Sequence, residues 1–181
     1  MKNKQKREIV YAFIDSQNLN LGVRSQGWKL DWRKFRQYLR NKYNVTEAYL
    51  FIGYKPGNET LYTNLQKMGY VVVMKPTMEL PGGVVKGNVD AELVLHTMIQ
   101  FNNFNKAIIV SGDGDFFCLV EYLVNNNKLL NLFTPNMYYS KLYKPFSGYI
   151  VRIDWLKDSL KVAKKRLASA VGRNLRPIQS S

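Results

Sequence analysis

Two aspartates separated by one glycine, Asp113-Gly114-Asp115, follow closely on the apolar run Ile108-Ile109-Val110 and the small pair Ser111-Gly112. Carboxylates crowded in this way repel each other unless a proton or a cation lies between them. A cluster of oxygen ligands suits a hard divalent ion. A second acid stands in the same kind of place. Ile9-Val10-Tyr11-Ala12-Phe13-Ile14 reads as a buried strand and stops at Asp15, followed by Ser16, Gln17 and Asn18. A third acid, Asp90, follows Lys86-Gly87-Asn88-Val89 and opens a helical pattern. Aspartate is common in turns and at helix N-caps, so one such residue alone would mean little. Three segments that each deliver an aspartate where an element begins or ends point to one metal-assisted site.

The elements that would carry these acids alternate. Strand-like runs are expected at 9–15, 48–54, 70–75, 106–110, 128–134 and 149–153. Helical patterns are expected at 32–42, 59–68, 88–103, 116–126, 138–143 and 155–170. Alternation of this kind predicts an α/β fold with a mainly parallel sheet. In such sheets ligands bind just beyond the carboxyl ends of the strands. Asp31 is the expected N-cap of the helix at 32–42, where Trp32, Phe35 and Leu39 line one face and Arg33, Arg36 and Arg40 another. Residues 76–87 hold two prolines and three glycines without a clear period, which predicts a mobile loop. The tail at 171–181 reads as disordered.

Composition narrows the function. The 181 residues suffice for one domain with a core of its own. One cysteine, Cys118, and one histidine, His96, exclude an internal disulfide and a Cys/His zinc centre. Cys118 is expected to be a buried, inert thiol, and no Ser/His or Cys/His pair offers itself as a nucleophile. The first apolar run is too short for a signal peptide or a membrane span, so a cytoplasmic protein with no membrane association is expected. The formal net charge is +14. Residues 1–7 carry four basic residues and no acid, and residues 157–181 carry seven and one. The chain therefore divides into a basic extension (1–7), a main domain (8–156) and a basic helix and tail (157–181). A basic surface around a small acidic site suits a polyanionic substrate read through metal ions.

At these residues the chain resembles the NYN branch of the PIN-like nuclease superfamily, close to its LabA-like group. The resemblance rests on Phe13-Ile14-Asp15-Ser16-Gln17-Asn18, on Lys86-Gly87-Asn88-Val89-Asp90, and on Ser111-Gly112-Asp113-Gly114-Asp115-Phe116 with Leu119-Val120 following. Ser140-Lys141-Leu142 resembles the family's late Ser-x-x-Leu. It implies a three-layer α/β/α sandwich and a Mg²⁺- or Mn²⁺-dependent site that hydrolyses RNA. Asp15, Asp90 and Asp113 would be its central metal-binding acids, with Asp115 beside them and Asn18 positioning a metal-bound water or phosphate. Two positions depart from the pattern: Ser16 stands where a glycine is usual, and His96 where the central helix often has a second aspartate. Imidazole is a poor Mg²⁺ ligand and an acceptable Mn²⁺ ligand.

Further contacts with substrate are expected from Ser111, from Arg33, Arg36, Arg40 and Lys86 along the phosphates, and from Tyr54, Tyr138, Tyr139 and Tyr143 stacking on unpaired bases of single-stranded RNA. Trp32, Phe35, Phe51 and Phe133 are expected in the core. His96 lies one helical turn after Glu92, which allows a hydrogen-bonded pair without a role, a metal-binding couple or a proton carrier. The competing function is a non-catalytic RNA-binding adaptor with a degenerate site. A haloacid dehalogenase-type phosphatase is disfavoured by Gln17, which stands where that class has an acid or threonine. A DNA-directed 5′ nuclease on the same scaffold stays open, as does assembly into a homodimer.

Overall fold

The computed structural model describes residues 8–76, 78–80, 84–86 and 89–163, with only the backbone of 78–80 and 84–86. The basic extension at 1–7, the tail from 164 onward and the Lys86 side chain lie outside the described residues. Six strands form a wholly parallel sheet: β1 (Val10–Asp15), β2 (Val45–Tyr54), β3 (Val71–Pro76), β6 (Lys106–Val110), β7 (Leu129–Thr134) and β8 (Ile150–Arg152). Their order is β3-β2-β1-β6-β7-β8. A separate antiparallel hairpin joins β4 (Met78–Leu80) to β5 (Val84–Lys86). The segment expected to be a loop thus holds two paired strands.

Strict alternation places side chains on both faces of the sheet. Val10, Ala12 and Ile14 of β1 and Ile108 and Val110 of β6 pack into one core layer. That layer is completed by α1 (Ser16–Arg24) through Leu19 and Val23, α2 (Trp32–Tyr43) through Phe35 and Leu39, and α3 (Glu59–Lys67) through Leu65. Phe13, Phe51 and Ile109 face the other layer, against α4 (Asp90–Ile99) and α5 (Phe117–Asn125). The result is the three-layer sandwich that the family resemblance implies. Burial on both faces also explains why the central strands read as continuous apolar runs.

Several local readings are corrected. α1 was absent from the sequence reading, since Asn18, Asn20 and Gly22 are weak helix formers. Asp15 caps it, and Gly22 lets it press on the loop after β7, where a Cβ would stand 2.5 Å from Pro135 Cβ. The terminal helix α6 (Lys157–Leu160) is one turn long, and Lys161 then bridges Leu30 in extended form. Cys118 is exposed, because α5 buries Leu119, Val120 and Leu123 and turns Cys118 outward. Phe35, Phe51 and Phe133 are fully buried as expected, while Trp32 is only half-buried.

Candidate active site

Chain order and strand order together locate the crevice. From β1 the chain winds outward to β2 and β3, then returns to place β6 on the other side of β1. The switch point therefore lies between the carboxyl ends of β1 and β6, where an open parallel sheet leaves a crevice. β1 ends at Asp15, and Asp113 sits three residues past the end of β6. Asp90 opens α4, which crosses this end from the other layer. Asp15, Asp90 and Asp113 line one cavity here, together with Ser16, Gln17 and Asn18.

Each acid is held by its own turn. Asp15 is 5 % exposed, and its Oδ1 accepts the Gln17 and Asn18 amides at 3.1 and 3.0 Å. Among the described residues its Oδ2 receives one long bond, 3.4 Å, from the Ser111 hydroxyl. Burial pushes the Asp15 carboxyl above its ordinary value and the charge of Asp90 adds to this; the Asn18, Ser111 and Gln17 donors pull it back. Asp113 caps the short 3₁₀ turn Gly114–Phe116, its Oδ1 accepting the Asp115 amide at 3.1 Å. Capping thus accounts for one oxygen of Asp15 and one of Asp113 and leaves the second oxygen of each with capacity to spare. The N-termini of α1 and α4 meet at this cavity, and their partial positive charge eases the crowding of carboxylates.

The strand-end loops are tied together. The Asn18 side-chain carbonyl accepts the Gly112 amide at 2.9 Å. Ser111 also accepts the Asp113 amide at 3.2 Å. Behind the turn, the Ser140 amide donates to the Gly112 carbonyl at 2.9 Å, and the Tyr143 hydroxyl donates to the Asp113 carbonyl. A Cβ on Gly114 would stand 2.4 Å from Ser140 Oγ and 3.0 Å from Ser140 Cβ, so a larger residue there would have to displace the Ser140 side chain. The late Ser140-Lys141-Leu142 motif therefore props the acidic turn. Burial, with the charges of Asp113, Asp115 and Asp90, raises the Tyr143 hydroxyl far above its ordinary value.

Other expected site residues are not where the sequence reading put them. Ser111 is fully buried, so it positions Asp15 and Asp113 rather than touching substrate. Asp115 is exposed and does not line the cavity. The Arg36 guanidinium is spent on the carbonyls of Gly69, Val45 and Thr46 at 2.9, 3.2 and 3.0 Å, so it is no free phosphate contact. Arg33 and Arg40 are exposed around it. Tyr143 is fully buried and stacks on no base, whereas Tyr138 is 83 % exposed. Glu92 pairs with Lys75 at 3.0 Å rather than with His96, whose ring meets Phe51 edge-on at 5.7 Å. The sequence reading missed Trp32, Arg24, Lys55 and Asn58 on the cavity wall. Their signal was faint: Trp32 directly follows the Asp31 cap and so begins α2, but it was assigned to the apolar stripe.

The donors fit a hard divalent ion in chemistry: all are oxygens, and the most buried carboxyl carries an uncompensated desolvation cost. Among the described residues no three acidic, imidazole or thiol groups lie close enough to share one ion as they stand. Also among the described residues, no helix is long and apolar enough to cross a membrane.

A parallel sheet with acids at its switch point is the architecture of a Rossmann-like α/β domain with a ligand site at its strand ends, and comparison with known proteins gives the family. The sequence profile of the NYN domain matches residues 10–151, so the chain belongs to the NYN domain family, within the PIN-like nucleases. It is 27 % identical over 121 residues to the low amplitude and bright protein LabA of Synechococcus elongatus, a match covering 61 % of this chain and 65 % of that protein. The chain thus spans slightly less than two thirds of this relative. Its fold is similar to that of a Vibrio parahaemolyticus protein of unknown function, with a TM-score of 0.73 and 24 % identity over 90 % of this chain and all of that one.

Proposed function

We propose that this protein is a metal-dependent ribonuclease that hydrolyses phosphodiester bonds of single-stranded RNA at the carboxyl end of its sheet. The observation that carries the reading is the meeting of Asp15, Asp90 and Asp113 from three separate segments in one cavity. Mg²⁺ or Mn²⁺ held by these acids, with Asp115 exposed on the turn that Asp113 caps, would supply an activated water and charge neutralisation on the phosphate. The chain's own part is positioning. The amides of Gln17 and Asn18 fix Asp15, Ser111 couples it to Asp113, and Tyr143 holds the Asp113 backbone. Asn18 keeps the two strand-end loops at a set spacing. A cytoplasmic location goes with this reading.

The second reading is an RNA-binding adaptor on a decayed site. It is favoured by Ser16 in place of glycine and by His96, which packs against Phe51 where the family often has an acid. Labelled single-stranded RNA incubated with the protein in Mg²⁺, Mn²⁺ or EDTA separates the two. Cutting that EDTA abolishes supports the nuclease. Binding that survives EDTA, with no cutting under either metal, supports the adaptor.

A further inference from the structure

The cavity reaches well beyond its acids. Its volume is about 890 Å³, in the ~300–1,000 Å³ range of sites that enclose a drug-sized ligand. A metal ion and one phosphate need only the acidic end. The rest is walled by Trp32 at the start of α2, Ile52 near the end of β2 and Leu61 of α3, with the Asn58 amide beside them. Arg24 and Lys55 stand exposed at the same cavity, and among the described residues neither forms an ion pair. An aromatic and aliphatic recess with an amide matches a nucleobase, whose faces stack and whose edge hydrogen-bonds. Two unpaired cations match the phosphates on either side of that base.

We propose that this recess seats the base of one unpaired RNA nucleotide, next to the phosphodiester presented to the acids. Trp32 stacks on the base, and Arg24 and Lys55 meet flanking phosphates. The assignment rests on the nuclease reading, because it takes the strand cut at the acids as its ligand. It also gives a reason for single-strand selectivity: a base paired in an A-form helix cannot turn into the recess.

The test is fluorescence anisotropy in EDTA, so that nothing is cut, with the full chain and a short labelled RNA. A single abasic nucleotide is moved along the strand. One position is expected at which loss of the base weakens binding about tenfold, in keeping with base–aromatic stacking. Trp32→Phe, which keeps a ring against Tyr70, should shrink that effect to about threefold. Leu61 is 43 % exposed, so Leu61→Trp should fill the recess from the helix surface without disturbing the core, and it should erase the effect. The proposal is overturned if every abasic strand binds like the parent, or if the sensitive position persists in Leu61→Trp. A free nucleoside monophosphate that binds as tightly as the strand overturns the assignment to RNA. The two readings fail separately. RNA that is cut in Mg²⁺ but shows no sensitive position removes the recess alone. A sensitive position without cutting under any metal removes the nuclease and leaves the recess. RNA that does not bind at all removes both.

Discussion

The two ends of the sheet use charge in opposite ways. At the amino end of β2, Arg36 is surrounded by backbone carbonyls that take up its donors. At the carboxyl ends of β1 and β6, Asp15 is buried near other acids and its second oxygen has one long hydrogen bond. Burial lowers the Arg36 pKa from its ordinary value and raises that of Asp15, each toward the neutral form. Each of the three arginine nitrogens donates to a backbone carbonyl, whereas two of the three bonds to Asp15 fall on one oxygen. A charged group satisfied by its own backbone serves the fold. One left with spare capacity in a cavity is where a ligand gains most.

Removing charge at the acidic end should cost the most activity. Outer-shell changes at metal sites already cost about 10–100-fold, so Asp15→Asn and Asp90→Asn should each slow RNA cleavage by at least about a hundredfold. Asp115→Asn, at an exposed residue outside the cavity, should cost less than either. Equal losses at Asp90 and Asp115 would break this ranking. At the other end, Arg36→Ala should leave cleavage intact but destabilise the fold by about 2 kcal/mol, because three carbonyls lose a charged donor. For a chain of this size that is a fall of about 4–8 °C in melting temperature.

Asp15→Asn should do the reverse to stability. An acid whose pKa is raised on folding favours the fold when protonated. That contribution is complete below the unfolded value and is lost as pH rises through the folded value. At neutral pH the ionised Asp15 therefore burdens the fold. The asparagine variant keeps an acceptor for the Gln17 and Asn18 amides and should melt about 2–4 °C higher in EDTA. The gain should shrink as pH is lowered through the acid range. A variant that melts lower than the parent at neutral pH would mean that Asp15 is stabilising as a carboxylate.

The smallest effects concern the basic residues. Lys55→Ala should weaken RNA binding a few-fold at low salt and flatten its salt dependence, since one phosphate contact is lost. Arg40→Ala, on the helix face around Arg36, should change affinity less than about twofold. Titration of labelled RNA at several salt concentrations measures both. If Arg40 matters more than Lys55, the strand runs over α2 rather than into the cavity.

What the sequence made legible follows from the range of the interactions. The acids could be read because each sits in a local signal, an apolar strand ending in a small polar turn. The sheet could be read because burial on both faces leaves long apolar runs. The Arg36 bonds could not, since Gly69 lies 33 residues away in the chain and exposed arginines on a helix look alike. The same holds for α1, whose residues have weak helix propensity and which is held by its Asp15 cap and by packing of Gly22 on Pro135. Lys161 leaves its helix to bridge Leu30, a distant partner that periodicity cannot reveal. The outward turn of Cys118 was within reach, because Leu119, Val120 and Leu123 already define the buried face of α5.

The most direct test of the central claim is one cleavage assay on labelled single-stranded RNA, with Mg²⁺ and with EDTA, run for the parent protein and for Asp113→Asn. The account predicts cutting by the parent in Mg²⁺ alone, and a loss of at least about a hundredfold in a variant that melts normally. Cutting by Asp113→Asn at the parental rate, or by the parent in EDTA, would contradict a metal-dependent site at the ends of β1 and β6.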